Sequence, residues 1–459
     1  MGRFFAVAMV AIGTLAATEG RAVAAGSSHP PCRVRAIPFD GWNAHEISNE
    51  WTRLIIVPQL GGRLMQVSFN RHDFLFINPK YRGKYISPVE AAGRWVNYGG
   101  DKIWPMPEGS NDEGHWVLKS DLLDDGNYGL EVLSEGAKCS VRLDGPPDLA
   151  TGLQYSREIS LGKDSPQVSF LTTMRNISGH AIEWAMQTVT QYDVSDPRAA
   201  GTFNPDFWAF TPTNPKSAYF EGYQVRDGLA NDPSFAVMDH LFRLHWLYLQ
   251  NEVWLDSTAG WLAVVDDSNQ YAMVERFRYQ AGATYPGKAS VIFYKNGATL
   301  EVDERLKPRL SSSREDEAPF YMEAEINSPI VRLQPGEKFE MSTTWFPTRA
   351  DKTLQSIVDA GAIVAPLVTA RSAKGVVISG RFGVFWPGTL QAHLFDGRGI
   401  EIGKLPLQAV KPEEMAVVLD EISPPVGTVR ISLHLVDEGG ADRGSLGEAV
   451  VAPLSGGQL

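Results

Sequence analysis

The stretch at residues 95–116, WVNYGGDKIWPMPEGSNDEGHW, holds four Trp or Tyr, four Gly, two Pro, four acids, one Lys and one His, with no sustained apolar period. Such irregularity argues against a core helix or a central strand and predicts aromatic side chains fixed by loop geometry. Loops that hold rigid aromatics beside polar groups are where binding sites are commonly built. Indole and phenol faces pack on the C–H faces of sugar rings, while Asp, Asn, Lys and His reach hydroxyls. A long surface loop stapled to a β-sheet by its Trp residues fits the same composition, and both readings stay open on sequence alone.

Around this stretch the texture is β. Residues 52–57, 63–69, 129–133, 140–143, 167–175, 261–266, 289–294 and 339–345 form short runs rich in branched and aromatic residues, many of them alternating. Turn signals separate them: Asp125-Gly126-Asn127, Asn176-Ile177-Ser178-Gly179, Asn296-Gly297 and Gln334-Pro335-Gly336-Glu337. Helical periodicity is scarce, clearest over 351–360, which reads as an exit helix or linker. The Pro-, Asn- and aromatic-rich segment 199–250 reads as loops laid over one sheet face. Beyond a linker at 349–372, residues 373–455 read as about seven short strands with Gly/Pro turns, an immunoglobulin-like sandwich. His393 and His434 there stand singly on alternating strands, the pattern of surface or core residues.

Composition narrows the partners. The net charge is −12 and no Lys/Arg stripe occurs, which argues against a nucleic-acid or anionic-membrane partner and favours neutral over polyanionic glycans. Residues 1–25 resemble a signal peptide: Arg3, an apolar run over 4–17, then Ala22-Val23-Ala24 as a small-x-small cleavage site. No later run is long and apolar enough to span a membrane. A periplasmic or secreted location follows. The two cysteines, Cys32 and Cys139, can pair in an oxidising compartment and tether the start of the mature chain to the first sheet; two unpaired thiols are the alternative. No Cys/His spacing marks a metal site, so neither metal nor organic cofactor is expected.

Three motifs carry a family resemblance across about two thirds of the chain, residues 33–348. Pro58-Gln59-Leu60-Gly61-Gly62-Arg63-Leu64 follows a strand. Tyr98-Gly99-Gly100-Asp101-Lys102-Ile103-Trp104-Pro105 precedes Gly114-His115-Trp116. Met322-Glu323-Ala324-Glu325 precedes Leu333-Gln334-Pro335-Gly336-Glu337 and a strand ending at Trp345. In order and spacing these resemble the galactose-mutarotase-like superfamily, which includes aldose 1-epimerases and glucose-6-phosphate 1-epimerases, and most of all an exported branch of it. The resemblance implies an all-β supersandwich followed by the C-terminal sandwich.

It also implies a chemistry. Interconverting anomers needs a base for the anomeric hydroxyl proton and an acid for the ring oxygen, roles suited to a carboxylate and an imidazole. The resemblance places Glu323 as base and His115 as acid. Glu325, two residues on, shares a strand face with Glu323. Arg63, Asn97, Asp101, Lys102, Trp104, Trp116, Gln191, Arg276 and Glu325 are the expected sugar contacts, whereas Arg157 reads as structural. Two departures matter. Gln191 stands where the mutarotases commonly carry a second His, and Gln cannot act as a general acid. Tyr98 stands where the sugar-phosphate branch keeps an Arg, which argues against a phosphorylated substrate. The expected function is therefore binding, with acid–base epimerisation, of a neutral sugar. A non-catalytic glycan-binding module is the rival, and a polysaccharide lyase-like activity is a third reading that the acidic balance disfavours.

Overall fold

The computed structural model describes residues 29–109, 115–302, 308–311 and 320–452. The leader expected over 1–25, and Asp112, Glu113 and Gly114 beside His115, lie outside the described residues. Among those described, α-helix is limited to one turn at Pro88–Ala91, and no helix is long and apolar enough to cross a membrane.

Two large antiparallel sheets pack face to face. The first has twelve strands; its centre runs Arg63–Phe69, Asp101–Met106, Ile182–Asp193, Tyr321–Asn327, Val291–Lys295, Asn251–Leu255 and Gln224–Gly228. The second has ten, centred on Trp261–Asp266, Tyr271–Phe277, Lys338–Arg349, Val168–Asn176 and Leu153–Gly162. Period-two alternation explains the layering. In Leu153–Gly162 the buried residues Leu153, Tyr155, Arg157, Ile159 and Leu161 alternate with more exposed neighbours as far as Ile159. The core between the sheets is filled from both sides, with Trp345 tilted against Phe170 at 4.7 Å and Trp246 fully enclosed.

The expected strands are all present, several longer than read from sequence, and three readings are corrected. About a quarter of the 95–116 stretch is a central strand after all: Asp101–Met106 pairs along its length with Ile182–Asp193, and all six residues are buried. Its other edge meets Arg63–Phe69 only at Asp101–Leu64, so Pro105 lies beyond that contact, where a missing N–H is tolerated. The strand hid in the sequence because its two faces carry Asp101 and Lys102 rather than an apolar alternation. Gly99 and Gly100 lead into it at φ +92° and +76°, and a Cβ on Gly99 would sit 2.1 Å from the Phe76 carbonyl oxygen, so no other residue fits that turn. Segment 199–250 is not a loop cover; Phe207–Pro212, Gln224–Gly228, Phe235–Met238 and Leu241–His245 extend both sheets.

The third correction is the helix or linker at 349–372. Ser356–Val358 and Gly361–Arg371 are strands of the C-terminal unit, where the branched residues Ile357, Val358, Ile363 and Val364 outweigh the helical spacing. That unit is a sandwich of two four-stranded sheets. Ser356–Val358, Gly361–Arg371, Val376–Val384 and Ala416–Ile422 form one; Glu401–Val410, Gly388–Phe395, Arg430–Asp437 and Asp442–Val450 form the other. The unit docks on the second large sheet through Phe346, Phe385 and Leu354, with Arg276–Asp359 and Arg381–Asp351 ion pairs at the margin.

Cys32 and Cys139 form a disulfide closing 107 residues of sequence separation. It joins the segment leading into the first sheet to the Lys138–Asp144 strand of the second. Closing so long a loop restricts the unfolded chain, so Cys32→Ser should cost about 2–5 kcal/mol of stability. Urea unfolding of the variant, and of the native chain with and without dithiothreitol, measures it; equal midpoints would contradict the tether.

Candidate functional site

The open face of the first large sheet is concave and holds a cavity of about 580 Å³. Its floor comes from alternate residues of neighbouring strands. Trp104 and Met106, Gln187, Tyr321 with Glu323 and Glu325, Ile292 with Tyr294, and Glu252 with Trp254 all point the same way, and Trp95, Glu108 and Arg226 rise at the sides. Antiparallel register brings them together: Gln191 lies opposite Glu323 and Ile292 opposite Glu325.

Glu323 is the best-connected carboxylate. Its Oε1 accepts from Gln191 Nε2 at 2.6 Å and from Lys102 Nζ at 3.4 Å. Lys102 is enclosed, with its ammonium 4.5 Å from the centre of the Trp104 ring, and burial lowers its pKa against the pull of Glu323. Glu325 accepts from Gln187 Nε2 at 2.6 Å; burial, and then the neighbouring Glu323, Glu252 and Glu108, raise its pKa well above the ordinary carboxylate range. Glu108, at the rim, is pushed up to about 7 by its crowded surroundings and by Glu252 and Glu323. Glu252 is raised by burial and then by Asp227 and Glu323, and it accepts a hydrogen bond from Trp254 Nε1. Arg226 lies over the Trp254 ring at 4.4 Å. Two buried polar atoms have no partner here, Trp95 Nε1 and Gln191 Oε1, one a donor and one an acceptor.

Of the residues expected from sequence, Glu323, Glu325 and Trp104 line this cavity, with Lys102 and Gln191 bonded to Glu323. His115 is exposed and packs at Gly109, a cavity-lining residue, without lining the cavity itself. The remaining contacts are corrected. Asp101 points the opposite way from Lys102, as adjacent strand residues must, and forms a 2.6 Å ion pair with Arg157 of the second sheet. Arg63 is fully buried against Asp124 and Asp125 at 2.7 and 3.1 Å. Trp116 donates to Asp121 and packs behind Trp104 at 5.2 Å. Asn97 Oδ1 accepts from the Gly99 N–H inside the turn. Arg276 belongs to the second sheet and faces Asp359. Sequence reading missed Glu108, Gln187, Arg226, Glu252, Trp254, Tyr294 and Tyr321. Nothing local singles them out: in Asn251-Glu252-Val253-Trp254 two polar residues precede two apolar ones, with no alternation to mark a face.

No family model matches the chain, and a search of curated proteins finds no match. Solved structures do match. A galactose mutarotase-like protein from Clostridium acetobutylicum is 10% identical, with TM-score 0.44 over 69% of this chain and 99% of its own. Another from Lactobacillus casei is 12% identical, with TM-score 0.41 over 66% and 99%. In fold, the chain is similar to galactose mutarotase-like proteins. A TPR-domain containing protein from Parabacteroides distasonis is 15% identical, with TM-score 0.43; the match covers 67% of this chain and only 47% of that one, about half its length. These likenesses concern the fold; the chemistry has to come from the side chains.

Two predictions follow from the layer beneath the cavity. Arg157→Met leaves Asp101 buried without its partner and should destabilise the chain by about 3–5 kcal/mol, while Asp101→Leu combined with Arg157→Met should recover much of the loss. Chemical denaturation of both variants decides this. Glu275, fully buried and accepting from the Tyr192 hydroxyl at 2.6 Å, is pushed up to about 8 by burial. Below about pH 4.5 it is protonated in both states; from there to about pH 8 only the unfolded chain ionises, so folding takes up a proton and stability falls by up to ~1.4 kcal/mol per pH unit. Glu275→Gln should remove that share of the slope, so wild type and variant compared at pH 5 and pH 8 should diverge; parallel pH dependence would refute the shift.

Proposed function

We propose that the concave cavity binds a neutral carbohydrate and interconverts its anomers by acid–base chemistry, in an oxidising compartment outside the cytoplasm. The observation that carries this reading is the convergence of Glu323 and Glu325, from one face of one strand, with Glu108 and Glu252 inside aromatic walls. Trp95, Trp104, Trp254 and Tyr294 supply flat faces for sugar C–H surfaces, and the unpartnered Trp95 Nε1 suits a hydroxyl, which can accept from it. The acidic balance of the chain, net charge −12, disfavours the uronate that the lyase-like reading needs. The Cys32–Cys139 disulfide supports export.

In this mechanism Glu323 takes the anomeric proton. Gln191 and Lys102 both bond its Oε1, leaving Oε2 for the substrate. The ring oxygen needs a proton near neutral pH, and Glu108, held at about 7 beside the cavity, is matched to that task. His115, the donor implied by motif order, stands next to Gly109 at the same rim. After ring opening, rotation about the C1–C2 bond and reversal of both transfers give the other anomer. One observation favours a second reading, a binder without turnover: Gln191 occupies the place of an imidazole, and no described His lines the cavity.

The test has two readouts. Melting temperature is followed with neutral mono- and oligosaccharides, since a ligand held by the native state raises it. Anomer exchange is followed by polarimetry for wild type, Glu323→Gln, Glu108→Gln and His115→Ala. Glu323→Gln should slow exchange about 10²–10⁴-fold with affinity little changed, and the weaker of the other two variants identifies the acid. Binding with no exchange above buffer selects the second reading. If no neutral sugar shifts the melting temperature, carbohydrate recognition at this cavity is wrong.

A further inference from the structure

The outer sheet of the C-terminal sandwich brings together side chains that the cavity chemistry does not use. His393 of Gly388–Phe395 and His434 of Arg430–Asp437 lie on one face, because His393 is aligned with Ser432, two residues from His434. Their imidazoles stack at 4.0 Å, nearly parallel. Asp442, on Asp442–Val450, holds His434 Nδ1 at 2.9 and 3.1 Å with its two carboxylate oxygens. One donor atom from each of the three residues lies within 4.8 Å of the other two.

A second observation makes this more than a cluster. His393 is 4% exposed, and its Nε2 is buried with no hydrogen-bond partner. Its Nδ1 lies 3.2 Å from Glu401 Oε2, on the fourth strand of the sheet, Glu401–Val410. A carboxylate on Nδ1 fixes the tautomer with the proton there and leaves the Nε2 lone pair free. That is the arrangement by which proteins orient a metal-ligating histidine.

We infer that His393, His434 and Asp442 form a site for a divalent transition ion of the zinc class, with Glu401 positioning His393. Two imidazoles and one carboxylate make a donor set typical of zinc, and a fourth position stays open for water where Asp442 is exposed. The ion would displace the proton shared by His434 Nδ1 and Asp442. Ligands around a tetrahedral ion stand ~3.4 Å apart for bonds near 2.0–2.1 Å, so loading draws the three groups inward and tilts the stacked rings out of parallel. Together with Glu401, the residues come from all four strands of the sheet, so a bound ion clamps it crosswise. The site was invisible to spacing arguments because each ligand comes from a different strand.

The experiment uses the tag-free full-length chain, stripped with chelator and titrated with Zn²⁺ by calorimetry, with Co²⁺ absorption as a geometric probe. The expected result is about one equivalent bound, a raised melting temperature, and ligand-field bands of a four-coordinate ion. His434→Ala and Asp442→Asn, both at partly exposed positions, should abolish the bands and lose that equivalent. Glu401→Gln, which leaves all three ligands, should weaken binding ~10–100-fold. Far-UV circular dichroism checks that each variant is folded, and Asp442→Asn keeps the proposal testable should His434→Ala fail to fold. No uptake by wild type, or equal uptake by wild type and Asp442→Asn, overturns the site. Neither outcome bears on the sugar cavity, which belongs to the other domain.

Discussion

The ion pair between Asp101 and Arg157 sets the geometry of everything above it. It spans the two large sheets at 2.6 Å, with the guanidinium also 4.5 Å from the centre of the Phe170 ring. Thr190 donates to the other Asp101 oxygen at 3.1 Å, tying the neighbouring strand into the same contact. A β-strand can slip by one residue only by exchanging its faces, and here the exchange would bury Lys102 in the inter-sheet core and lift Asp101 into the cavity. The pair therefore fixes the register of Asp101–Met106, and through it the side on which Lys102, Trp104 and Met106 stand. A buried charge pair gains little net stability against a well-packed apolar pair, so specificity of register is the more plausible reason for its presence.

The cavity is built against its own electrostatics. Four carboxylates converge with Lys102 and Arg226, and burial pushes Glu325, Glu108 and Glu252 toward their protonated forms. Protonation settles the repulsion among them, and it also makes a site that can donate as well as accept. Lys102 is placed so that its charge meets Glu323 and the Trp104 face together, which favours the carboxylate at one position in particular. Environments that push neighbouring groups apart in acidity are what acid–base chemistry on one sugar requires.

Sequence reading reached the sheets and missed the faces. Strands such as Thr52–Val57 and Trp261–Asp266 announce themselves by branched and aromatic residues, and the Glu323/Glu325 pair follows from simple alternation. Asp101–Met106 did not, because polar residues on both of its sides have partners that come from 56 to 221 residues away: Asp101 meets Arg157, and Lys102 meets Glu323. Arg63, Trp116 and Arg276 looked like contacts for the same reason in reverse; a strand arginine or a loop indole reads alike whether its partner is a ligand or a distant aspartate. Glu252 and Trp254 share one face of their strand, and nothing local says that this side is hollow. His393 and His434 show the limit most plainly, since each is ordinary until a third strand supplies Asp442.

Arg63 shows how a residue can matter to the cavity without touching it. Its guanidinium bonds Asp124 and Asp125, and Asp124 Oδ1 in turn accepts from Trp104 Nε1 at 2.8 Å. The indole that walls the cavity is thus held at its nitrogen by a carboxylate that is itself held by a buried arginine. Trp116 closes the back of the same ring at 5.2 Å, with its own nitrogen on Asp121. A ring pinned at its nitrogen and packed from behind has little freedom left to rotate, so the wall it forms needs no ordering when a ligand binds. Gly61 completes the support: at φ +65°, a Cβ there would stand 1.8 Å from the Asp124 carbonyl oxygen, so the turn before Arg63 must be glycine for Asp124 to approach. The motif that opens the domain and the aromatic wall of the cavity are therefore one mechanical unit, joined through Asp124.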